Sequence, residues 1–300
     1  MSGPVTVGIA TRDRPEALER CLASLADLAG LVAEVIVVDD GSTPPARGRE
    51  RAREGPPVRF IRHDPSRGLA ACRNRIAAEA STPWVLNLDD DAFVLTRHAV
   101  ERAVRVLERD PAVAAVALAQ ADARGRPYPP AAQPYPVDYP AYVPTFLGYG
   151  FVARRDAFLE VGGFRARLGI NGEEKELCLR LLDRGWRVVY LPDAHVGHVA
   201  AHAGRDARRY LHQTVRNTTL GALLDEPFPL VLAGVALRLY SYYPMRRGWG
   251  IDDPGGMRVL LRGLARELPA VLRERTPVRW GTIRRWRALT RNALEPYREP

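Results

Sequence analysis

Three aspartates in a row, Asp89-Asp90-Asp91, follow the apolar run Trp84 to Leu88. Two carboxylates one residue apart at a strand end can point at one hard cation. Mg²⁺ or Mn²⁺ takes such oxygen ligands together with substrate phosphates. The alternative is an acidic turn that caps the next helix, although three crowded acids repel unless a cation or donors relieve them. A second pair, Asp39-Asp40, precedes Gly41-Ser42; Asp-Gly alone marks a turn. A third group, Asn171-Gly172-Glu173-Glu174-Lys175-Glu176, opens a helical pattern. Acids there complement the helix dipole, and a carboxylate crowded by others has a raised pKa and becomes a general base. His195, His198 and His202 have no cysteine nearby and no H-E-x-x-H. That argues against structural zinc, and one of them joining the aspartates at a metal fits better. Gly148-x-Gly150-x-x-Ala153 matches a dinucleotide fingerprint in letters only, outside a strand-turn-helix context, and no G-x-x-x-x-G-K-[ST] loop is present.

These residues need elements to position them. Val5 to Ala10, Val35 to Val38, Val58 to Ile61, Trp84 to Leu88 and Val113 to Leu118 are short apolar runs and read as buried strands. Between them come helical patterns: one opened by Pro15 with Leu18, Cys21, Leu22, Leu25 and Leu28 on one face, then 69–80 and 97–108. Strands apolar throughout, alternating with helices, predict a parallel sheet covered on both faces. Ligands in such sheets bind beyond the carboxyl ends of the strands. Thr11-Arg12-Asp13, Asp39-Asp40 and the triple aspartate lie at three such ends. Residues 121–148, with seven prolines and four tyrosines, read as an excursion over the site. Further on, the pattern predicts a strand at 151–154, a helix at 173–184 ended by Gly185, and a strand at 186–191 ended by Pro192. Beyond about residue 204 it is helical with interrupting prolines.

The composition, 46% hydrophobic and 26% charged, excludes wholesale disorder. The net charge of +9 is concentrated: residues 201–300 carry 18 arginines against 9 acids, whereas residues 1–200 balance. Such a tail suits an anionic membrane surface, a polyanion or a solvated face. Three widely spaced cysteines fit a reducing compartment, and no secretory leader or bilayer-long apolar run is read. The expectation is therefore cytoplasmic, with peripheral attachment at the inner face of the membrane as one reading of the tail.

In order, the segments VTVGIATRDRPEALERCLASL, VIVVDDGS, GLAACRNRIAAEA, WVLNLDDDA, FLGYGFVARRDAFLEVGGF, NGEEKELCLRLLDRGWRVVYLPDAHVGH and VRNTTL resemble the family 2 inverting glycosyltransferases. The likeness spans about residues 4–220. It implies the GT-A fold, a Rossmann-like α/β nucleotide-diphospho-sugar transferase domain with a mainly parallel central sheet. That domain is expected over 1–204, its nucleotide-sugar half about 1–120 and its acceptor half about 121–204, with a basic helical extension over 205–300. By position, the resemblance puts Thr11, Arg12 and Asp13 at the nucleoside and Asp39 and Asp40 at the base or ribose. Gly68, Arg73 and Asn74 close over the nucleotide. Asp89 and Asp91 are the outer members of the D-x-D motif that binds Mg²⁺ or Mn²⁺ with the sugar diphosphate, Asp90 lies among the donor contacts, and His198 completes the metal site. Gly172-Glu173-Glu174 matches the family's G-E-D, whose last position is commonly the base. Here that position is Glu, and the extra methylene moves the carboxylate outward, so Glu173, Glu174 and Glu176 all stand as candidates.

The function implied is transfer of a sugar from a nucleotide-diphosphate donor to a hydroxyl of a sugar, lipid-linked or small-molecule acceptor, in cell-surface polysaccharide or glycolipid synthesis. A nucleotidyltransferase would share the sheet and the acids, but its Gly-rich, lysine-containing loop is missing. Nucleic-acid binding through the arginine tail suits the neutral, acid-clustered first 200 residues poorly. The tail, RVLLRGLARELPAVLRERTPVRWGTIRRWRALTRN, mixes arginine with Leu, Val and Trp. It reads either as an amphipathic membrane-surface helix or as an appendage packed on the catalytic domain or on a second subunit in a homo-oligomer.

Overall fold

The computed structural model describes residues 3–46, 55–199, 206–291 and 294–300. The chain begins with β1 (Val5–Thr11), α1 (Pro15–Ala23), β2 (Val32–Asp39), β3 (Val58–Arg62), α2 (Leu69–Glu79) and β4 (Trp84–Asp89). It continues through β5 (Ala92–Val94), α3 (Arg97–Arg109), β6 (Val113–Ala121), β7 (Ala141–Val143) and β8 (Gly150–Arg154). Then come α4 (Arg155–Glu160), α5 (Glu173–Asp183) and β9 (Arg187–His198). Four helices follow: α6 (Ala207–Asp225), α7 (Leu230–Gly248), α8 (Gly256–Glu274) and α9 (Trp280–Arg291).

The sheet runs β3-β2-β1-β4-β8-β6-β9-β5, with β7 on the free stretch of β9. β3, β2, β1 and β4 are parallel, as their uniformly apolar sequences predict. The second half is mixed: β8 is antiparallel to both β4 and β6, while β6 and β9 are parallel. The expectation of a mainly parallel sheet thus describes the half built from β3, β2, β1 and β4 and is corrected in the other. No crossover helix leads into β8. The chain returns from β6 through the proline-rich excursion, and strands joined without a helical crossover are free to pair antiparallel.

Two apolar layers cover the sheet. Leu18, Cys21, Leu22, Leu25 and Leu28 pack with α3 on one face of β1, β2 and β4. Only the first three lie in α1; the helix stops at Ala23 and a short 3₁₀ turn at Ala26–Leu28 carries the last leucine inward. On the opposite face α2 lies so close to β1 that a Cβ at Gly8 would fall 2.3 Å from Ile76. Pro192 does not end β9. Leu118 pairs with Leu191 and Ala119 with His195, so a bulge absorbs the intervening residues and the strand runs on to His198.

The C-terminal helices have their own core, in which Leu211, Val215, Leu220, Leu224, Tyr242, Leu260 and Val271 surround Leu168. They also pack on the catalytic half: Val278, Ile283 and Trp286 join the cluster under α5, and the Tyr142 N–H donates to Glu295. No helix among the described residues is long and apolar enough to cross a membrane.

Candidate active site

Sheet register brings the polar strand ends together. Thr11 pairs with Asp39 and Ala10 with Asp89 across neighbouring parallel strands. His198 pairs with Ala92, next to Asp91. The ligand atoms of Asp89, Asp91 and His198 therefore lie within 4.8 Å of one another, with His198 Nε2 3.3 Å from Asp91 Oδ1. Two carboxylates and an imidazole suit Mg²⁺ or Mn²⁺. Gln120 lies 2.8 Å from His198 Nδ1. With its amide turned to present the carbonyl, Nδ1 donates and Nε2 is free to ligate. The Tyr149 ring stacks on His198 at 5.2 Å and its hydroxyl donates to the Leu118 carbonyl, fixing the imidazole plane. His195 sits in the β6–β9 ladder, away from this group, and His202 lies outside the described residues.

Asp90 faces the other way. It is 5% exposed and accepts from Thr11 Oγ1 at 2.8 Å and Arg14 at 3.1 Å. Arg14 also reaches Asp91 at 3.2 Å. Burial outweighs these contacts and raises Asp90 to about 6. Thr11 and Asp90 thus form a buried brace beneath Asp89, Asp91 and His198, and Arg14, which sequence reasoning passed over, ties the brace to Asp91.

The pair Asp39-Asp40 organises two turns. Asp39 accepts from the Ser42 and Ala46 N–H groups at 2.9 and 3.0 Å and from Arg62 at 2.5 Å. Asp40 accepts from Ser66 Oγ at 2.6 Å, from the Arg67 and Gly68 N–H groups at 2.7 and 2.9 Å, and contacts His63 Nδ1 at 3.2 Å. Burial opposes both charges, but these donors outweigh it and hold both acids below the usual carboxylate range. The Asp13 N–H donates to Ser42 and the Arg12 guanidinium to Ser66, so exposed Arg12 and Asp13 border the same rim. Gly68, at φ 87°, turns the chain from this rim into α2.

Arg73 is 3% exposed and does not face open solvent. Its guanidinium donates to Asp89 Oδ1 and to the Gly148 carbonyl, each at 2.8 Å. Its other nitrogen lies 3.9 Å from Glu173 and 4.0 Å from Glu174. Arg73 therefore links Asp89 to the acids of α5. Asn74 is committed to the backbone, exchanging two hydrogen bonds with Phe164.

The three candidate bases separate by environment. Glu176 is 3% exposed and bound by Arg165 at 2.8 Å and by Arg180 at 2.6 Å, so it is a packed ion pair. Glu173 is 1% exposed, and burial beside Glu174 raises it to about 9. Glu174 is partly open, its side chain 19% exposed. Burial raises its pKa while Arg73 opposes the rise. Both shifts run upward, against the helix N-terminus, which favours the ionised form by about 0.3–1 kcal/mol. Dipole complementarity therefore does not explain these acids. Gly172, at φ 98°, swings the chain into α5 so that Glu174 reaches the space beside Gly148. A Cβ at Gly148 would meet Arg73 Nη2 at 2.5 Å and Glu174 Oε1 at 2.7 Å. Gly148→Ala is expected to displace Glu174 and Arg73 and lower turnover about tenfold or more while circular dichroism stays native, because an angstrom of misplacement in an active site has effects up to about a hundredfold.

A family profile described as Glycosyl transferase family 2 matches residues 6–167. The pre-mycofactocin glycosyltransferase of Mycobacterium tuberculosis (strain CDC 1551 / Oshkosh) is 31% identical over 270 residues, covering 83% of this chain and 55% of that protein. The chain thus spans about half the length of that curated relative. The N-acetylglucosaminyl-diphospho-decaprenol L-rhamnosyltransferase of the same strain is 28% identical over 236 residues, covering 65% of this chain and 76% of that protein. Among solved structures, the mannosyltransferase PcManGT from Pyrobaculum calidifontis in complex with GDP-Man and Mn²⁺ aligns at TM-score 0.58 and 18% identity, covering 96% of this chain and 84% of that one. GalNAc-T7 with UDP, GalNAc and Mn²⁺ aligns at TM-score 0.57 and 16% identity, covering 90% and 58%. At these identities the structures speak for the fold, which is GT-A. The profile spans more than half of the chain and contains the acidic strand ends described above; the chain belongs to glycosyl transferase family 2.

Proposed function

We propose that this chain is a metal-dependent inverting glycosyltransferase. It moves a sugar from a nucleotide-diphosphate donor to an acceptor hydroxyl, in glycolipid or cell-surface polysaccharide synthesis. The observation that carries the reading is the Arg73 bridge: it joins Asp89, one of three convergent metal-type ligands, to the neighbourhood of Glu174. The nucleoside would lie against the Asp39-Asp40 rim with Arg12, Asp13 and Gly68. Mg²⁺ or Mn²⁺ held by Asp89, Asp91 and His198 would supply Lewis-acid neutralisation of charge on the departing diphosphate. Glu174 accepts the proton of the acceptor hydroxyl as that oxygen bonds to the anomeric carbon. The bond from that carbon to the phosphate oxygen breaks, and its electron pair leaves with the nucleoside diphosphate. Arg73 keeps a positive charge between Asp89 and Glu174, which limits repulsion between them. The solved neighbours named for GDP-Man, UDP and Mn²⁺, and the relative named for a diphospho-decaprenol substrate, support the donor and acceptor classes.

A single in-line displacement inverts the anomeric centre. Proton NMR of the first product formed should therefore give the configuration opposite to the donor's; retention would exclude the one-step mechanism.

We also propose peripheral attachment to anionic membrane. It is supported by Phe228, just before α7, and by Leu232, Tyr240 and Tyr243 along it, all exposed in the arginine-rich tail. Co-sedimentation with anionic vesicles at low salt, lost at high salt, is the expected result; equal recovery with and without vesicles would remove this attachment.

A further inference from the structure

A second cavity, of about 390 Å³, lies between α5, α6, α7 and α9. Its wall begins at Gly172, immediately before Glu173, so it abuts the turn that carries Glu174. The size is that of a small-ligand pocket, about 300–1,000 Å³. Its apolar lining includes Leu179, Leu230, Ile283 and Trp286. Two cations open into it, Lys175 (the sole lysine of the chain) and Arg287, and both are exposed. Among the described residues neither has an acid within 4.0 Å; the three acids of the wall are paired with other arginines, Glu226 with Arg238 at 2.6 Å, Glu176 with Arg165 and Arg180, and Asp225 with Arg165. Gly221 of α6 also lines the space, and a Cβ there would meet nothing within 4 Å. At the mouth, Leu237 is 67% exposed, and the neighbouring face of α7 continues outward through Leu232 and Tyr240.

Uncompensated cations beside an apolar floor that continues into an exposed apolar face match one kind of molecule: an anionic head carrying an apolar tail. We propose that this cavity is the acceptor subsite and that it takes an amphiphile whose phosphate or diphosphate group is read by Lys175 and Arg287 while its hydrocarbon chain lies on the apolar wall and leaves along α7. This rests on the transferase reading above, and gives it an acceptor of defined chemistry. Lys175 follows Glu174 in α5, so a phosphate held at Lys175 would leave a sugar hydroxyl attached to it to reach Glu174 around the first turn of the helix, where Glu174 accepts that hydroxyl's proton.

The test uses farnesyl diphosphate as the probe, titrated calorimetrically into the full chain with divalent metal removed, so that the diphosphate has no metal site to occupy. Inorganic pyrophosphate and farnesol separate the head from the tail. Mn²⁺-dependent binding of UDP and GDP is measured in parallel. Two variants are made: Lys175→Ala with Arg287→Ala, which removes the head contacts, and Gly221→Leu, which fills the cavity. Gly221→Leu replaces glycine within a helix and should not weaken α6. Expected is farnesyl diphosphate binding at least about tenfold tighter than either fragment, since head and tail each contribute a separate contact. Each variant should weaken it about tenfold or more, since one lost charge-assisted contact is of that size. Nucleotide binding should stay within twofold of wild type. Farnesyl diphosphate binding unchanged in both variants, or absent while nucleotides still bind with Mn²⁺, overturns the subsite. Pyrophosphate binding as tightly as farnesyl diphosphate overturns the amphiphile in favour of a free phosphate ligand. Failure of UDP and GDP to bind wild type with Mn²⁺ falls instead on the transferase reading, and on the acceptor role with it.

Discussion

Glu174→Gln is expected to lower sugar transfer by about a thousandfold, within the range of about 10²–10⁴ for a positioned general base, while nucleotide binding with Mn²⁺ changes less than twofold. The amide keeps the shape of the side chain beside Gly148 and Arg73 but cannot take a proton. The wild-type pH profile carries the same information. Burial raises the Glu174 pKa above the ordinary glutamate value of 4.5, and only the ionised form accepts a proton. The rate should therefore fall as pH drops, along a limb displaced upward from that value, and the limb should be missing from whatever activity the variant retains. The neighbouring acids should answer differently. Glu176→Gln loses charge pairing with Arg165 and Arg180 and should register as a lower urea midpoint, with catalysis per folded molecule little changed. Unchanged turnover in Glu174→Gln would remove it as the base.

Asp91→Asn is expected to weaken Mn²⁺-dependent nucleotide binding by about a hundredfold or more, because loss of an outer-shell partner already weakens metal sites by about 10–100-fold and Asp91 is a direct ligand on this account. Isothermal titration of the nucleoside diphosphate across a Mn²⁺ series measures it. The same change at Asp90 should act by another route. Asp90 is held by Thr11 and Arg14 beneath the site, so Asp90→Asn should lower thermal stability more than metal affinity. Equal loss of metal affinity in both variants would contradict the division between the aspartates beside His198 and the one held by Thr11.

The acidic residues were legible in the sequence because each follows an apolar run whose strand character is plain, and strand ends in an α/β sheet meet at one edge. What the triple aspartate does not reveal is its orientation: Asp89 and Asp91 meet His198, while Asp90 points at Thr11. His198 arrives there because β9 continues past Pro192 through a bulge, and a proline in sequence reads as an end. Gln120 and Arg14 carry no local signal at all. Each is an ordinary polar residue made relevant by a long-range contact, Gln120 with His198 and Arg14 with Asp91. Arg73 looked like a nucleotide contact by resemblance, and the structure buries it against Asp89 and Gly148. The parallel half of the sheet followed from its alternating helices, but the mixed half depended on where a 28-residue proline-rich segment would re-enter, which periodicity does not encode. In the tail, the helices were legible as periodic stretches, but Pro244 and Pro269 lie inside α7 and α8 rather than between helices.

The central claim is that Asp89, Asp91 and His198 hold a metal on which a nucleotide diphosphate depends. The most direct measurement is the melting temperature of the full chain against a panel of nucleoside diphosphates and nucleotide sugars, with and without Mn²⁺. A ligand at about a hundred times its Kd stabilises by about 2.7 kcal/mol, which for a 300-residue chain corresponds to about 4 °C. The account predicts a rise of that order for one base, present with Mn²⁺ and largely lost without it. A rise of equal size in the absence of metal, or none for any nucleotide with Mn²⁺ present, would contradict it.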